Sequence, residues 1–399
     1  MNSDNPPLKT RPLMKRSLQA LALLGLSILI AFALAEGLTR LVRPQSTVEY
    51  RVDREVGQIL APNQLGRWVH EDYDVEVTTN SAGFHDVEHR VEKLPNVYRI
   101  VVLGDSFIEG LAVPIESGFT QQLESLLQVE VTDRRVEVIN LAVSGIGPAQ
   151  YLRMLERRGL RYKPDLVLMA VYPENDFWDS YYDLSGAPSK AFYTIKMDDS
   201  LQYIGPESSK ITVKMRPYLR KSAFLNLLRQ SLTLTSLESR LGQLGVLQAP
   251  GVANAQPMDW GVYNAALPDP WTDVYRTTLR TIAASRDVAK QHGAGFLAMT
   301  IGSVAMVEDR WDELFANYPA SKTMTMDSHR PFSAIADLGE QQGFSVINLA
   351  EPFRQDFLAH KKSRSWPHDG HWNLSGHHFA AEIVARHLLA HRHQYKLPN

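Results

Sequence analysis

The sequence predicts an α/β protein. Three layers, α/β/α, surround a doubly wound, parallel, five-stranded sheet, with an insertion after the third strand and an N-terminal transmembrane helix. Three observations carry that expectation. Apolar runs alternate with amphipathic stretches from Tyr98 to Arg392, the pattern of strand–helix–strand crossovers. One run, "PDLVLMAVY" at Pro164–Tyr172, is almost continuously apolar, as a strand covered on both faces must be. Near the N-terminus, Ser17–Ala35 carries no charge at all.

That first run, "SLQALALLGLSILIAFALA", would span about 28 Å as a helix, close to the hydrocarbon thickness of a bilayer. Lys9, Arg11, Lys15 and Arg16 precede it, and a basic flank stays cytoplasmic. Residues 1–16 are therefore expected inside, 17–36 as a single-pass signal anchor in the inner membrane, and the remainder in the periplasm. A cleaved signal peptide is the competing reading, since "ALA" at Ala33–Ala35 has the small residues of a cleavage site. Against it, the run is long, and Glu36, Arg40 and Arg43 continue the same helix to an interface.

Residues 45–97 form a mixed, polar lead-in segment, expected to be poor in strands, with a turn at "TTNSAGF", Thr78–Phe84. Residues 98–399 hold the main domain. "YRIVVLG" (Tyr98–Gly104) is its first strand, and "SGFTQQLESLLQ" (Ser117–Gln128) an amphipathic helix with Ser117 as its cap. "VEVINL" (Val136–Leu141) is the second strand and "GPAQYLRMLERRG" (Gly147–Gly159) the second helix; the Pro164–Tyr172 run is the third strand. The rhythm then breaks over about 177–270, an insertion rich in tyrosine and proline with one helix expected in Arg220–Leu241. Such a segment is either a lid over the site or an independent packing element. A long helix (Trp271–Gly293), a fourth strand (Gly295–Ile301), a helix (Phe332–Gly343), a fifth strand (Phe344–Leu349) and a closing helix (Ser375–Arg392) complete the chain.

Composition narrows the function. A net charge of -2, without a basic block, argues against nucleic acid as a partner. The absence of cysteine excludes disulfides, thiolate metal sites and a cysteine nucleophile.

In an open parallel sheet, ligands gather at the carboxyl ends of the strands. After the first strand come Gly104, Asp105 and Ser106; after the second, Ser144, Gly145, Ile146 and Gly147; after the third, Glu174, Asn175 and Asp176. Before the closing helix comes "WPHDGHWNLSGHH", with Asp369 and His371. A hydroxyl, a glycine-rich turn, a carboxamide and a carboxylate–imidazole pair are the parts of a serine hydrolase. Each alone has a structural reading. Ser106 is a helix cap, Gly145 a turn, Asn175-Asp176 an Asx loop, and Asp369-x-His371 a solvated loop or half a metal site. It is their order along one sheet edge that points to chemistry.

"GDSF", "AVSGIG", "ENDF" and "DGHWNLSGH" resemble the blocks of the SGNH (GDSL-type) esterase superfamily, over about Tyr98–Arg392 apart from the insertion. The resemblance implies a flavodoxin-like sheet. It makes Ser106 the nucleophile, His371 the base and Asp369 its partner, with Ser106, Gly145 and Asn175 as the oxyanion hole. "NSAGFHD" and the anchor also resemble membrane-anchored bacterial members. Two positions depart from the pattern. Pro173 stands where the third block has glycine, and Asp-x-His replaces Asp-x-x-His, a spacing similar to that of alginate-type O-acetyltransferases. The expected activity is hydrolysis of O-acyl, mainly acetyl, esters on an extracytoplasmic glycan, with no metal or organic cofactor. The alternatives are glycan O-acetylation with a membrane acyl-donor partner, action on a lipid, or a non-catalytic glycan-binding role. Trp366, Trp372, Tyr181 and Tyr182 are candidates to stack on sugar rings.

Overall fold

The computed structural model describes residues 11–42, 45–187, 189–206, 222–231, 258–312 and 324–399. Helix α1 (Arg11–Val42) opens the chain. Its stretch Gln19–Val42 has a mean hydropathy of 2.2 and is mostly exposed, so it is long and apolar enough to cross a bilayer.

The lead-in segment is richer in strands than expected. It forms two antiparallel hairpins, β1 (Tyr50–Asp53) with β2 (Gly57–Leu60), and β3 (Leu65–Val69) with β4 (Asp74–Thr78). The signal for β4 was present in "DVEVT", whose residues alternate between exposed and buried. After β4, Asn80 Oδ1 accepts from the N–H groups of Ala82 and Phe84 and closes the expected turn.

The main sheet contains β5 (Val97–Leu103), β6 (Arg135–Asn140) and β7 (Leu166–Val171). The insertion adds a small hairpin, β8 (Phe192–Ile195) with β9 (Leu201–Ile204), before the sheet resumes with β10 (Gly295–Thr300) and β11 (Ser345–Asn348). The sheet order is β11-β10-β7-β5-β6, every pairing parallel. This is the expected doubly wound arrangement. The order reverses between β5 and β7, and in open α/β sheets such a switch point at the carboxyl ends of the strands is where ligands bind.

Period-two alternation divides the core between the two faces. Val101, Leu103, Val167 and Met169 pack under the helices Pro148–Arg157, Trp271–Gln291 and Arg330–Gln342. Ile100, Val102, Leu168 and Met299 pack under Phe119–Glu130, Ala350–His360 and the closing helix Leu374–Ala390. One residue on β5 breaks the apolar run. Arg99, 1% exposed, pairs with Glu137 and donates to the carbonyls of Arg90, Val91, Glu92 and Tyr162. A buried guanidinium is tolerable when its donors are all taken, and these bonds fasten the lead-in segment to the sheet.

One local expectation is corrected. Ser117 does not cap the helix Phe119–Glu130, because it ends a 3₁₀ turn (Ile115–Ser117) and Gly118 takes the cap position without a side-chain bond. The helix after the first strand is a single turn, Ser106–Glu109. Part of the insertion, 207–221 and 232–257, lies outside the described residues. Of the helix expected over Arg220–Leu241, Ala223–Ser231 is described. The hairpin β8–β9 packs on the flank of the helix Pro148–Arg157, where Tyr193 meets Ala149 and Leu152. Here the insertion behaves as a packing element.

Candidate active site

Strand β5 is followed by Gly104, where a side chain would crowd Ile108. A Cβ there would lie 2.6 Å from Ile108. Asp105 then caps the one-turn helix, its carboxylate accepting from the N–H of Phe107 at 3.0 Å. Ser106 is the first helical residue, so it is not the cap, and its hydroxyl is left for other partners. It lies 2.7 Å from His371 Nε2 and 3.3 Å from Asp105 Oδ2. On its other side, His371 Nδ1 lies 2.9 Å from Asp369 Oδ2. The structure thus brings together Ser106, His371 and Asp369 in one continuous line, across 265 positions of sequence.

The short Asp-x-His spacing works because Gly370 takes a left-handed conformation, φ +82. That turn folds Asp369 back against the imidazole. Trp366 and His371 close the loop through an N–H to carbonyl bond of 2.8 Å, and Asn373 caps the closing helix by accepting from the N–H groups of Ser375 and Gly376. The next side chain along, Trp372, points the other way. It is 2% exposed and packs against Phe107, Phe353 and His377. Its expected role in stacking on a sugar is therefore corrected: the indole is core. Trp366 is half-buried beside Tyr73, and its Nε1 is buried without a partner among the described residues. Tyr181 and Tyr182 line a different cavity of about 260 Å³, together with Tyr193, Asp273 and Arg276. None of Ser106, Asp369 or His371 faces it.

The turn after β6 places Gly145 at φ +69, with open space where a side chain would stand. Among the described residues, no group accepts from the backbone N–H of Gly145. Asn175 lies in the first turn of the helix Pro173–Ser180, which begins on Pro173. Proline suits that position because its missing N–H is one the helix cannot pair. The departure at this block therefore starts the helix without disturbing Asn175, whose Oδ1 is buried with no partner among the described residues.

Buried acids surround the site. Burial pushes Asp105 up to about 6, although His371 and the Phe107 N–H oppose it. Burial and the charge of Asp105 push Asp176 well above the usual carboxylate range; it accepts from Tyr151 and from the N–H of Tyr172. Burial lowers the pKa of His371, but the bond and charge of Asp369, with Asp105 and Glu109, outweigh it and leave the imidazole above its ordinary value. Burial raises Asp369, yet His371, the charge of His70 and a bond from Tyr73 hold it below its ordinary value. His377 takes no part: burial pulls it down to about 3, and its Nδ1 accepts from the N–H of Phe119.

Several supporting residues were missed by sequence reasoning, and all involve the lead-in segment. Asp72, in the turn between β3 and β4, has a side chain 5% exposed. It accepts from the backbone N–H groups of His368 at 2.8 Å and Asp369 at 2.9 Å, and its other oxygen lies 2.7 Å from His368 Nδ1. Neighbouring Tyr73 helps hold Asp369 below its ordinary pKa. Beneath the turn after β6, Glu109 Oε2 accepts from Tyr50 at 2.8 Å, from the N–H of Ser144 at 3.0 Å and from the Ser144 hydroxyl. Burial pushes Glu109 up to about 7.

No protein-family model matches the chain, and no curated protein matches it. Among solved structures it is similar to an acetyl xylan esterase, AlAXEase, at 12% identity over 73% of this chain and 99% of that one, with a TM-score of 0.39. It is similar to a catalytic mutant of Axe2, an acetylxylan esterase from Geobacillus stearothermophilus, at 14% identity over 73% of this chain and 93% of that one, TM-score 0.39. It is also similar to TesA, at 14% identity over 73% and 98%, TM-score 0.36. Likenesses this distant carry no argument about the site, whose reading rests on its own geometry.

Proposed function

We propose that this protein is a serine esterase of the SGNH type, acting on acetyl or other short acyl esters of an extracytoplasmic glycan. The observation that carries the reading is the line Asp369–His371–Ser106, with contacts of 2.9 and 2.7 Å. A nucleophile held by a base, and a base held by a carboxylate, is the arrangement that acyl transfer requires.

In the proposed reaction, Ser106 Oγ attacks the ester carbonyl while His371 Nε2 takes its proton. Asp369 keeps the Nδ1–H tautomer and stabilises the imidazolium. Negative charge on the former carbonyl oxygen is met by the N–H groups of Ser106 and Gly145 and by the amide of Asn175. The N–H of Gly145, which nothing among the described residues accepts, supports that role, because an oxyanion needs donors left free to meet it. His371 then returns the proton to the departing sugar oxygen, leaving an acyl ester on Ser106. Water, deprotonated by His371, attacks that ester, releasing the carboxylic acid and regenerating the serine.

The Asp-x-His spacing favours a second reading, in which a sugar hydroxyl replaces water and the product is a new ester. We place the chemistry outside the cytoplasm on the basic flank before the apolar run of α1. The deciding experiment incubates the full-length protein in detergent with 4-nitrophenyl acetate or acetylated xylan, with and without an unacetylated oligosaccharide. Free acetate as the main product is expected. Acetylated oligosaccharide in excess of acetate would transfer the protein to the second reading, and no turnover of any acyl ester would remove both.

A further inference from the structure

The insertion meets the anchor. Glu36, at the end of the uncharged run in α1, caps a helix that lies 187 positions away. Its carboxylate accepts from Ser222 Oγ at 2.7 Å, from the N–H of Ala223 at 3.0 Å and from the N–H of Phe224 at 2.9 Å, while Arg40 Nε donates to it at 2.7 Å. One turn earlier on the same face of α1, the Phe32 ring meets the Phe224 ring edge-on, with centroids 5.7 Å apart.

These contacts fix a depth. Phe32 lies inside the apolar run, four residues before its first charge, which is about 6 Å along the helix axis. Phe224 stands beside it, so the helix Ala223–Ser231 starts at the level of the acyl-chain boundary. Its sequence, "AFLNLLRQS", is apolar at Ala223, Phe224, Leu225, Leu227 and Leu228. Leu228 remains 39% exposed despite the packing against α1. Nine residues give about 13 Å of helix, far too short to cross a bilayer. A short helix with an apolar face, held at that depth, has the character of an interfacial element.

We propose that the helix Ala223–Ser231 is a second membrane contact, seated in the outer leaflet against α1 with the bilayer as its occupant. The inference rests on the reading of α1 as a membrane anchor. Its consequence is functional. A domain held at two points presents the carboxyl end of β5 in a fixed attitude to the membrane surface. A domain held at one point turns freely.

The chain has no cysteine, so single cysteines can be placed cleanly. Full-length Leu228→Cys and Ile28→Cys proteins, each labelled with an environment-sensitive NBD dye, are reconstituted into phosphatidylcholine–phosphatidylglycerol nanodiscs with or without doxyl-labelled lipid. Acetyl-ester hydrolysis by the labelled proteins shows that they are folded. The expected result is at least twofold quenching at position 228 by doxyl groups near the headgroup, and at position 28 by doxyl groups near the bilayer centre. Glu36→Ala should reduce the quenching at 228 by half or more and leave 28 unchanged. Quenching at 28 with none at 228 would overturn the inference and leave the anchor intact. No quenching at either position would overturn the anchor reading and the inference with it.

Discussion

Ser106, His371 and Asp369 come from the main domain and form one bonded line; Asp72 and Tyr50 come from the lead-in hairpins and bond the segments around that line. The first set sits where polar side chains end apolar strands or precede the closing helix. The second set lies outside the sheet and bonds backbone as much as side chain. Asp72 takes the N–H groups of His368 and Asp369, and Tyr50 shares Glu109 with the turn that carries Gly145. What the difference teaches is a division of labour. On the proposed reading, the sheet edge supplies the reacting groups and the hairpins bond the loops that carry them. Misplacing a reacting group by about 1 Å costs as much as a hundredfold in rate, so the hairpins are expected to act on turnover without touching substrate.

The comparison is broken most directly at Ser106. Ser106→Ala should lower turnover of an acetyl ester by about a million-fold with an unchanged melting temperature, since Asp105 and not Ser106 is the cap. More than a tenth of the activity remaining would remove the serine from the chemistry. Asp369→Asn comes next, at up to about ten-thousand-fold in kcat. Its pH profile carries a sharper reading. The base must be neutral, and His371 is held above its ordinary value mainly by Asp369 acting against burial. Wild-type activity should therefore fall as pH drops through a value above about 6.5. In Asp369→Asn that inflection should move down; an unmoved inflection would mean that another group titrates.

Asn175→Ala should cost about a hundred- to a thousandfold in kcat with little change in KM, as removal of an oxyanion donor does. A raised KM at constant kcat would make Asn175 a substrate contact. Asp72→Ala tests the hairpin half. It should lower kcat by about ten- to a hundredfold, leave KM nearly unchanged and shift the His371 inflection downward as Asp369 loosens. Asp72→Asn, which keeps an acceptor oxygen for the two N–H groups, should recover most of the loss. Equal damage from both would point to unfolding in place of positioning. Tyr50→Phe should be mildest, at about 1 kcal/mol of stability for one hydrogen bond and a few-fold in kcat, read by thermal melts beside the assay.

The same division decides what was legible in the sequence. The strands β5, β7 and β10 carry long apolar runs and β6 and β11 shorter ones, and the residues that end them are adjacent in sequence to what announces them. Asp369 and His371 are two positions apart. Asp72 and Asp369 are 297 positions apart, and nothing local to either announces the other. The lead-in strands have only four or five residues each, and of these only "DVEVT" shows strict alternation. Trp372 was misread because a loop has no period. Only the folded turn shows that His371 faces Ser106 and the next side chain the core.

The most direct test of the central account is covalent labelling. The full-length protein is treated with a fluorophosphonate and the modified peptide located by mass spectrometry. The account requires a single adduct on Ser106, formed far more slowly in His371→Ala and absent in Ser106→Ala. An adduct on any other serine, or equal labelling with and without His371, would contradict it.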